Sequence, residues 1–284
     1  MSPTAIRDCY GSTRWLVWLY SPDAQRIAVE SLFELEHQIR SSVRPGLDHS
    51  ISHQRLQWWA DEAARLFDGT PNHPSGQRWA QSALGGAKLD LRPLVEATRW
   101  DLASVGFLEQ HELEDYDQRW SDAIFVPLLA LQLAESLPTA QALAGAAGPA
   151  IRELERLSVL ASSARHGQFH LAESQLGDNA RDLRDLAQQP WPEALTRAVH
   201  TRAKLAGERL RNAAAATPVS VRPATRAAFV WMALAQQQAR RIIASLPHET
   251  GSESDSALRS SWFAWRCARL ASQGRLPASL RRAS

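Results

Sequence analysis

The sequence predicts an all-α protein built as one domain, and three observations carry that prediction. Apolar residues recur with the 3.6-residue helical period along nearly the whole chain. Strand signals are almost absent, with no sustained alternation and no Asn-Gly hairpin between β-branched runs. The breaks between periodic segments are short Pro, Gly or Asp clusters, and neither a long Gly/Ser linker nor a repeat period divides the chain. A single large bundle of about eight to eleven helices over residues 1–284 is the economical architecture.

Taken in order, Ser21-Pro22-Asp23 has the makings of a helix start, with Ser as N-cap, Pro at the first helical position and Asp in the first turn. Ala28, Leu32, Leu35, Ile39 and Val43 then form one apolar stripe, which Pro45-Gly46 ends. A second helix runs from about Ser50 to Phe67 and stops at Asp68-Gly69. It carries Trp58 and Trp59, whose directions differ by about 100°, so both are buried only if that helix packs on two sides. A third stripe, Leu113, Tyr116, Trp120, Ile124, Leu128 and Leu131, contains Pro127 as an expected kink. Helical patterns also cover roughly 74–84, 90–104, 139–164, 191–215, 221–245 and 255–272.

The charge balance narrows the function classes. Lys and Arg number 32 against 30 Asp and Glu, a net charge of +2, which excludes a strongly basic nucleic-acid binder. Lys88 and Lys204 are the only lysines, so the basic side chains are almost all guanidinium forks. Cys9 and Cys267 stand at opposite ends and provide neither a disulfide framework nor zinc spacing. The apolar runs Trp15–Tyr20 and Ala123–Ala134 fall short of the ~20 residues that cross a bilayer. A cytoplasmic location is expected, with at most a peripheral contact to the inner membrane.

Several clusters invite a metal and fail on context. His49/His53 and His166/His170 have i, i+4 spacing, but neither pair belongs to an HExxH motif, and capping or solvated histidines are the better reading. Asp178, Asp182 and Asp185 interleave with Arg181 and Arg184, as expected for a solvated helix with local ion pairs. The acidic run Glu112–Asp117 opens a helix, where the macrodipole favours carboxylates. No P-loop, dinucleotide fingerprint or G-x-S-x-G occurs.

Two segments are more specific: His53-Gln54-Arg55-Leu56-Gln57-Trp58-Trp59 before Gly69, and Ala164-Arg165-His166-Gly167-Gln168-Phe169-His170-Leu171. With them the sequence resembles the squalene/phytoene synthase family, in particular a divergent branch whose members carry an "RLQWW" helix and which includes a complex I assembly factor. Leu19-Tyr20-Ser21-Pro22 with Arg26 is similar to the family's "L-x-x-P…R". Ser31–Leu35 resembles its "A-L-Y-A-F", and Arg99–Leu102 followed by Glu112–Tyr116 keeps the family's order. Arg165–Leu171 resembles "R-R-G-R-x-Y-L", and Arg181-Asp182-Leu183 the following "E-D-L". The likeness covers most of residues 15–185.

The resemblance implies the all-α isoprenoid synthase bundle, with two Asp-rich segments holding Mg²⁺ against prenyl diphosphates above an apolar cavity. Phe33, Trp59 and Tyr116 are the lining candidates that it suggests. Laid on the family's first "D-D-x-x-D", this chain reads Arg40, Ser41 and Arg44; on the second, Ser158, Val159 and Ser163. Mg²⁺ needs hard oxygen donors, so no metal cofactor is expected at these positions. Arg40, Arg44, Arg55 and Arg165 are candidate anion or ligand contacts, since guanidinium suits phosphate or carboxylate. A solvent-facing role for Arg40 and Arg44 over a closed cavity stands equally open.

The leading functional expectation is a non-catalytic family member that binds a prenyl or lipid ligand or docks on a protein partner. The alternative is an active prenyltransferase with Mg²⁺ ligands relocated to residues such as Asp101, Glu112 or Asp115. A third reading places the basic end, Arg275, Arg281 and Arg282, against a membrane surface.

Overall fold

The computed structural model describes residues 10–44, 46–82, 88–103, 106–133, 137–175, 183–188, 190–244 and 257–281. Cys9, Asp178, Arg181, Asp182 and Arg282 lie outside them. The described residues form α-helices with short 3₁₀ turns and no strand. The helices are α1 (Thr13–Tyr20), α2 (Arg26–Arg40), α3 (His49–Phe67), α4 (Pro74–Ser82), α5 (Arg92–Ala103) and α6 (Gln110–Trp120). They continue as α7 (Val126–Gln132), α8 (Leu137–Ser158), α9 (Leu160–Arg165), α10 (Glu193–Ala216), α11 (Arg226–Ala244) and α12 (Ala257–Ser272). No described helix is long and apolar enough to cross a membrane.

α11 is the central rod. Seven consecutive residues, Ala227 to Ala233, are fully buried, as expected of a helix that is apolar all round. Around it pack α1, α8, α10 and α12; α8 in turn packs on α6, α7 and α10. α2, α3, α4 and α5 complete the other side through α2–α4, α2–α5 and α3–α5 contacts.

Local chemistry sets the helix ends, with some departures from expectation. The run Trp15–Tyr20 belongs to a short helix of its own, α1, started by Ser12, whose hydroxyl accepts from the Trp15 N–H at 3.2 Å. Ser21 therefore closes α1 rather than opening α2: its N–H donates to the Trp18 carbonyl and its hydroxyl to that of Val17. α3 begins at Asp48, whose carboxylate accepts from the Ser50 N–H at 2.8 Å, and ends in Gly69 with φ +82°, a conformation that favours glycine.

Pro127 does not kink its helix in isolation. Lacking an N–H, it cannot bond the Ala123 carbonyl, and the helix widens ahead of it into a π-helical turn, Ser121–Phe125. The two-sided burial expected for Trp58 and Trp59 is also corrected. Trp59 is 6 % exposed and Trp58 43 %, because α3 turns only one face to α5 and the interior. Trp58 rests edge-on against Trp59, with ring centroids 4.9 Å apart.

Candidate functional site: a buried arginine–carboxylate network

The interior between α1, α2, α5, α6, α8 and α11 holds charged side chains in three layers. In the first, Arg14 of α1 forks onto Glu36 of α2, with Nε and Nη2 at 3.0 and 2.8 Å from the two carboxylate oxygens. The same guanidinium reaches Glu155 of α8 through Nη2 at 3.1 Å and through Nη1. It lies 4.4 Å from the ring centre of Trp231, 5.5 Å from Trp120 and 5.8 Å from Phe33, an aromatic cage suited to a cation. The indoles also bind the anions: Trp120 Nε1 donates to Glu36 at 2.8 Å and Trp231 Nε1 to Glu155 at 3.2 Å. Burial alone would raise the Glu36 pKa, but Arg14, Arg40 and the Trp120 N–H outweigh it and hold the carboxyl at about 2. Burial likewise opposes the Arg14 charge, and Glu155 with Glu36 raises its pKa nonetheless.

In the second layer, Arg152 of α8 donates to the Tyr116 hydroxyl at 3.1 Å, which donates to Asp101 of α5, 3.0 Å from both oxygens. His170 Nε2 lies 2.9 Å from Asp101. Burial lowers the His170 pKa, so the ring is neutral at pH 7 and Nε2–H donates to the carboxylate; its Nδ1 has no partner. Burial and the neighbouring Asp101 push Tyr116 up to about 12. In the third layer, Arg156 grips Asp117 with two parallel bonds of 2.7 and 2.6 Å and donates to the His170 carbonyl at 2.7 Å. Arg202 of α10 donates to Glu153 at 2.6 Å, yet burial still raises the Glu153 pKa.

Arg40 stands at the edge of these layers, on the last turn of α2, with 40 % of its side chain exposed. Its nearest carboxylate contact is Glu36 at 3.9 Å, already held by Arg14. Its pKa is lowered, first by repulsion from Arg152 and then by burial. Arg152 is 3 % exposed and its Nε has no hydrogen-bond partner.

Of the expected ligand contacts, only Arg40 adjoins this network. Arg44, Arg55 and Arg165 are exposed, and none has a hydrogen bond or ion pair to it among the described residues. Phe33 belongs to the Arg14 cage and Tyr116 to the second layer. Trp59 is buried elsewhere, against Trp58 and His73. Asp101, Glu112 and Asp115 do not converge: Asp101 is spent on Tyr116 and His170, Glu112 accepts from the backbone N–H groups of Leu108 and Glu109, and Asp115 is exposed. Nor does the helix dipole account for the whole acidic run, since buried Asp117 pairs with Arg156.

The histidine pairs separate as well. His49 and His53 are exposed on the first turns of α3, and His166 is exposed, but His170 is 6 % exposed and neither caps nor solvates. Gly167, at φ +79°, ends α9 between His166 and His170 and turns them apart. Among the described residues no three His, Cys, Asp or Glu side chains gather in a group that could hold a metal ion. Cys267 is buried, which pushes its thiol up to about 12 and leaves it unreactive.

Sequence reasoning missed Arg14, Glu36, Asp117, Arg152, Glu153, Glu155, Arg156 and Arg202. A signal existed for some of them. Glu36 lies three or four residues from Leu32, Phe33 and Ile39, on the apolar face of α2. Arg152, Glu153, Glu155 and Arg156 crowd the end of a helix that carries no other charged residue. An acid or base inside such a face announces a buried partner without naming it.

The comparisons with known proteins agree with this architecture. The squalene/phytoene synthase family pattern matches residues 9–263. A crystal structure of a dehydrosqualene synthase in complex with ligand superposes with TM-score 0.71 at 15 % identity, covering 90 % of each chain. The squalene synthase HpnC from Alicyclobacillus acidocaldarius superposes with TM-score 0.61 at 17 % identity, over 83 % of this chain and 88 % of that one. No curated protein matches by sequence. With an isoprenoid-synthase bundle and a family match over most of its length, the chain belongs to the squalene/phytoene synthase family.

Proposed function

We propose that this family member is non-catalytic and binds the anionic head of a prenyl or related lipid directly through arginine, without Mg²⁺. The observation that carries the reading is the placing of Arg40. Its guanidinium is part-exposed at the edge of the network, its nearest carboxylate contact, Glu36 at 3.9 Å, is already held by Arg14, and repulsion from buried Arg152 disfavours its charge. A phosphate placed against Arg40 relieves that repulsion and finds charge-assisted donors.

The donor set does not fit a divalent cation. The positions that resemble the family's first Asp-rich motif are Arg40, Ser41 and Arg44, and those resembling the second are Ser158, Val159 and Ser163. Each carboxylate of the network has an Arg, His, Tyr or Trp donor within 3.2 Å: Glu36, Glu155, Asp101, Asp117 and Glu153 alike. A cation would have to displace these donors, while an anion displaces none.

The test is a titration with farnesyl diphosphate in EDTA, paired with a pyrophosphate-release assay in Mg²⁺. Binding in EDTA is expected, weakened roughly tenfold by Arg40→Gln, the size of one hydrogen bond to a charged group. Pyrophosphate release above a protein-free blank, or no binding without metal, refutes the reading.

A further inference from the structure

The outer face of α12 has a different composition from the rest of the surface. Its inner face, Ala264, Cys267, Ala268 and Ala271, packs on α11. On the outside Leu258, Trp262, Trp265 and Arg269 follow one another at intervals of four, three and four residues, a single stripe along the helix. Leu258 is 74 % exposed, Trp262 60 % and Trp265 40 %. The two indoles stack on each other, with centroids 4.9 Å apart and planes at 23°, and the Arg269 guanidinium lies 5.5 Å over Trp265. Gly11 packs against Ala257 at the start of α12, which brings Tyr10, 59 % exposed, to the same end as Leu258.

Along α12 itself the charge has one sign. α12 carries Arg259, Arg266 and Arg269 and no acid, and Arg275 and Arg281 follow it. Across residues 217–244 and 257–281 there are nine arginines and no Asp or Glu, in a chain whose totals nearly balance. The acids of this part of the sequence, Glu249, Glu253 and Asp255, all precede α12.

We infer that α12 is a docking helix for an anionic bilayer surface, lying in the interface with Trp262, Trp265 and Leu258 among the headgroups and the arginines against lipid phosphates. Indole rings partition to the headgroup region, where an apolar body and a polar N–H are both accommodated. A bare aromatic stripe would suit a protein partner equally. What selects lipid is the arginine rim without a single carboxylate on the helix, which matches a uniformly negative surface. The stripe is also narrow. Its exposed apolar area is roughly 350 Å², well below the ~800 Å² per partner of a stable protein interface. This surface belongs to α12 and does not depend on what binds at Arg40.

Co-sedimentation of the full chain with phosphatidylcholine vesicles, with and without about one-third phosphatidylglycerol, tests the inference. The unmodified protein should pellet with the anionic vesicles at low salt and be released by high salt. Trp262→Ser/Trp265→Ser should weaken the association by roughly tenfold or more while leaving the circular dichroism spectrum unchanged, since both side chains are exposed. Arg266→Gln/Arg269→Gln should remove the preference for anionic over neutral vesicles. Failure of the unmodified chain to bind anionic vesicles overturns the proposal, as does equal binding by the Trp double variant. A concentration-dependent dimer in sedimentation equilibrium that the Trp variant dissolves, without vesicle binding, would assign the stripe to a second copy instead.

Discussion

The two halves of α8 use opposite means to pack into the same interior. The first half is built from small residues: Ala140, Ala144, Ala147 and Ala150 are fully buried, and Gly148 lies so close to the π-helical turn that a Cβ would sit 1.9 Å from Ser121 Oγ. The second half buries Arg152, Glu153 and Arg156 at 2–3 % exposure. Close backbone approach, with one hydrogen bond from the Ser121 hydroxyl to the Ala144 carbonyl, holds the first half in place. Charge pairing holds the second, and each of its ions depends on a partner from another helix. The contrast teaches that one helix can be held by close fit at one end and by paired charge at the other.

Removing a charge should have the largest effect. Arg14→Met leaves Glu36 and Glu155 without their closest cation, and breaking a largely buried pair in this way costs up to about 3–5 kcal/mol. Denaturant unfolding should show that loss, and adding Glu36→Gln should recover part of it. Undiminished stability in the single variant would remove the network as a structural element.

Acid should reach the same end of the contrast without mutation. Glu36 has a folded pKa of about 2 against an ordinary value of 4.5, so its contribution is present above about 4.5 and lost as the pH falls towards 2. The size is on the order of 3 kcal/mol. His170 acts earlier in the same direction: its folded pKa is depressed, so the unfolded chain takes up a proton first as the pH falls below about 6.5. Thermal midpoints measured from pH 7 downwards should fall in these two stages. A midpoint independent of pH over that range would contradict the pairing.

The small-residue half predicts the finest effects. Gly148→Ala should destabilise by about 1–3 kcal/mol through overpacking on Ser121 and Phe125. Gly145 has nothing within 4 Å of its missing Cβ and lies exposed on an open groove between α6, α8 and α10, so Gly145→Ala should stabilise by about 0.5–1 kcal/mol. Equal responses at the two glycines, read from urea midpoints, would show that the tight contact with Ser121 does not matter.

Much of this architecture was legible before the structure. The stripes of α2, α3 and α6–α7 followed from period alone, and Asp68-Gly69 marked the end of α3 because only a residue tolerant of positive φ closes that turn. α1 escaped notice because eight residues are too few to establish a period. Pro127 was visible, but a kink and a π-helical turn are both answers to its missing N–H, and only the structure shows the second. The family resemblance rested on RLQWW and the segment around Gly167, which mark positions in the chain rather than chemistry. It drew attention to Arg40 and away from Arg14, which no motif singled out.

The amino-acid order by itself determined the helical class, the placement of most helices and the family. Only the tertiary structure decided which charges are buried and what neutralises them. Period, capping and turn chemistry act between residues a few positions apart and can be read locally. Arg14 and Glu155 are 141 residues apart, and Trp120 meets Glu36 across 84. Such partners are chosen by how helices pack, because a buried ion is stable only where another element happens to present its counter-charge.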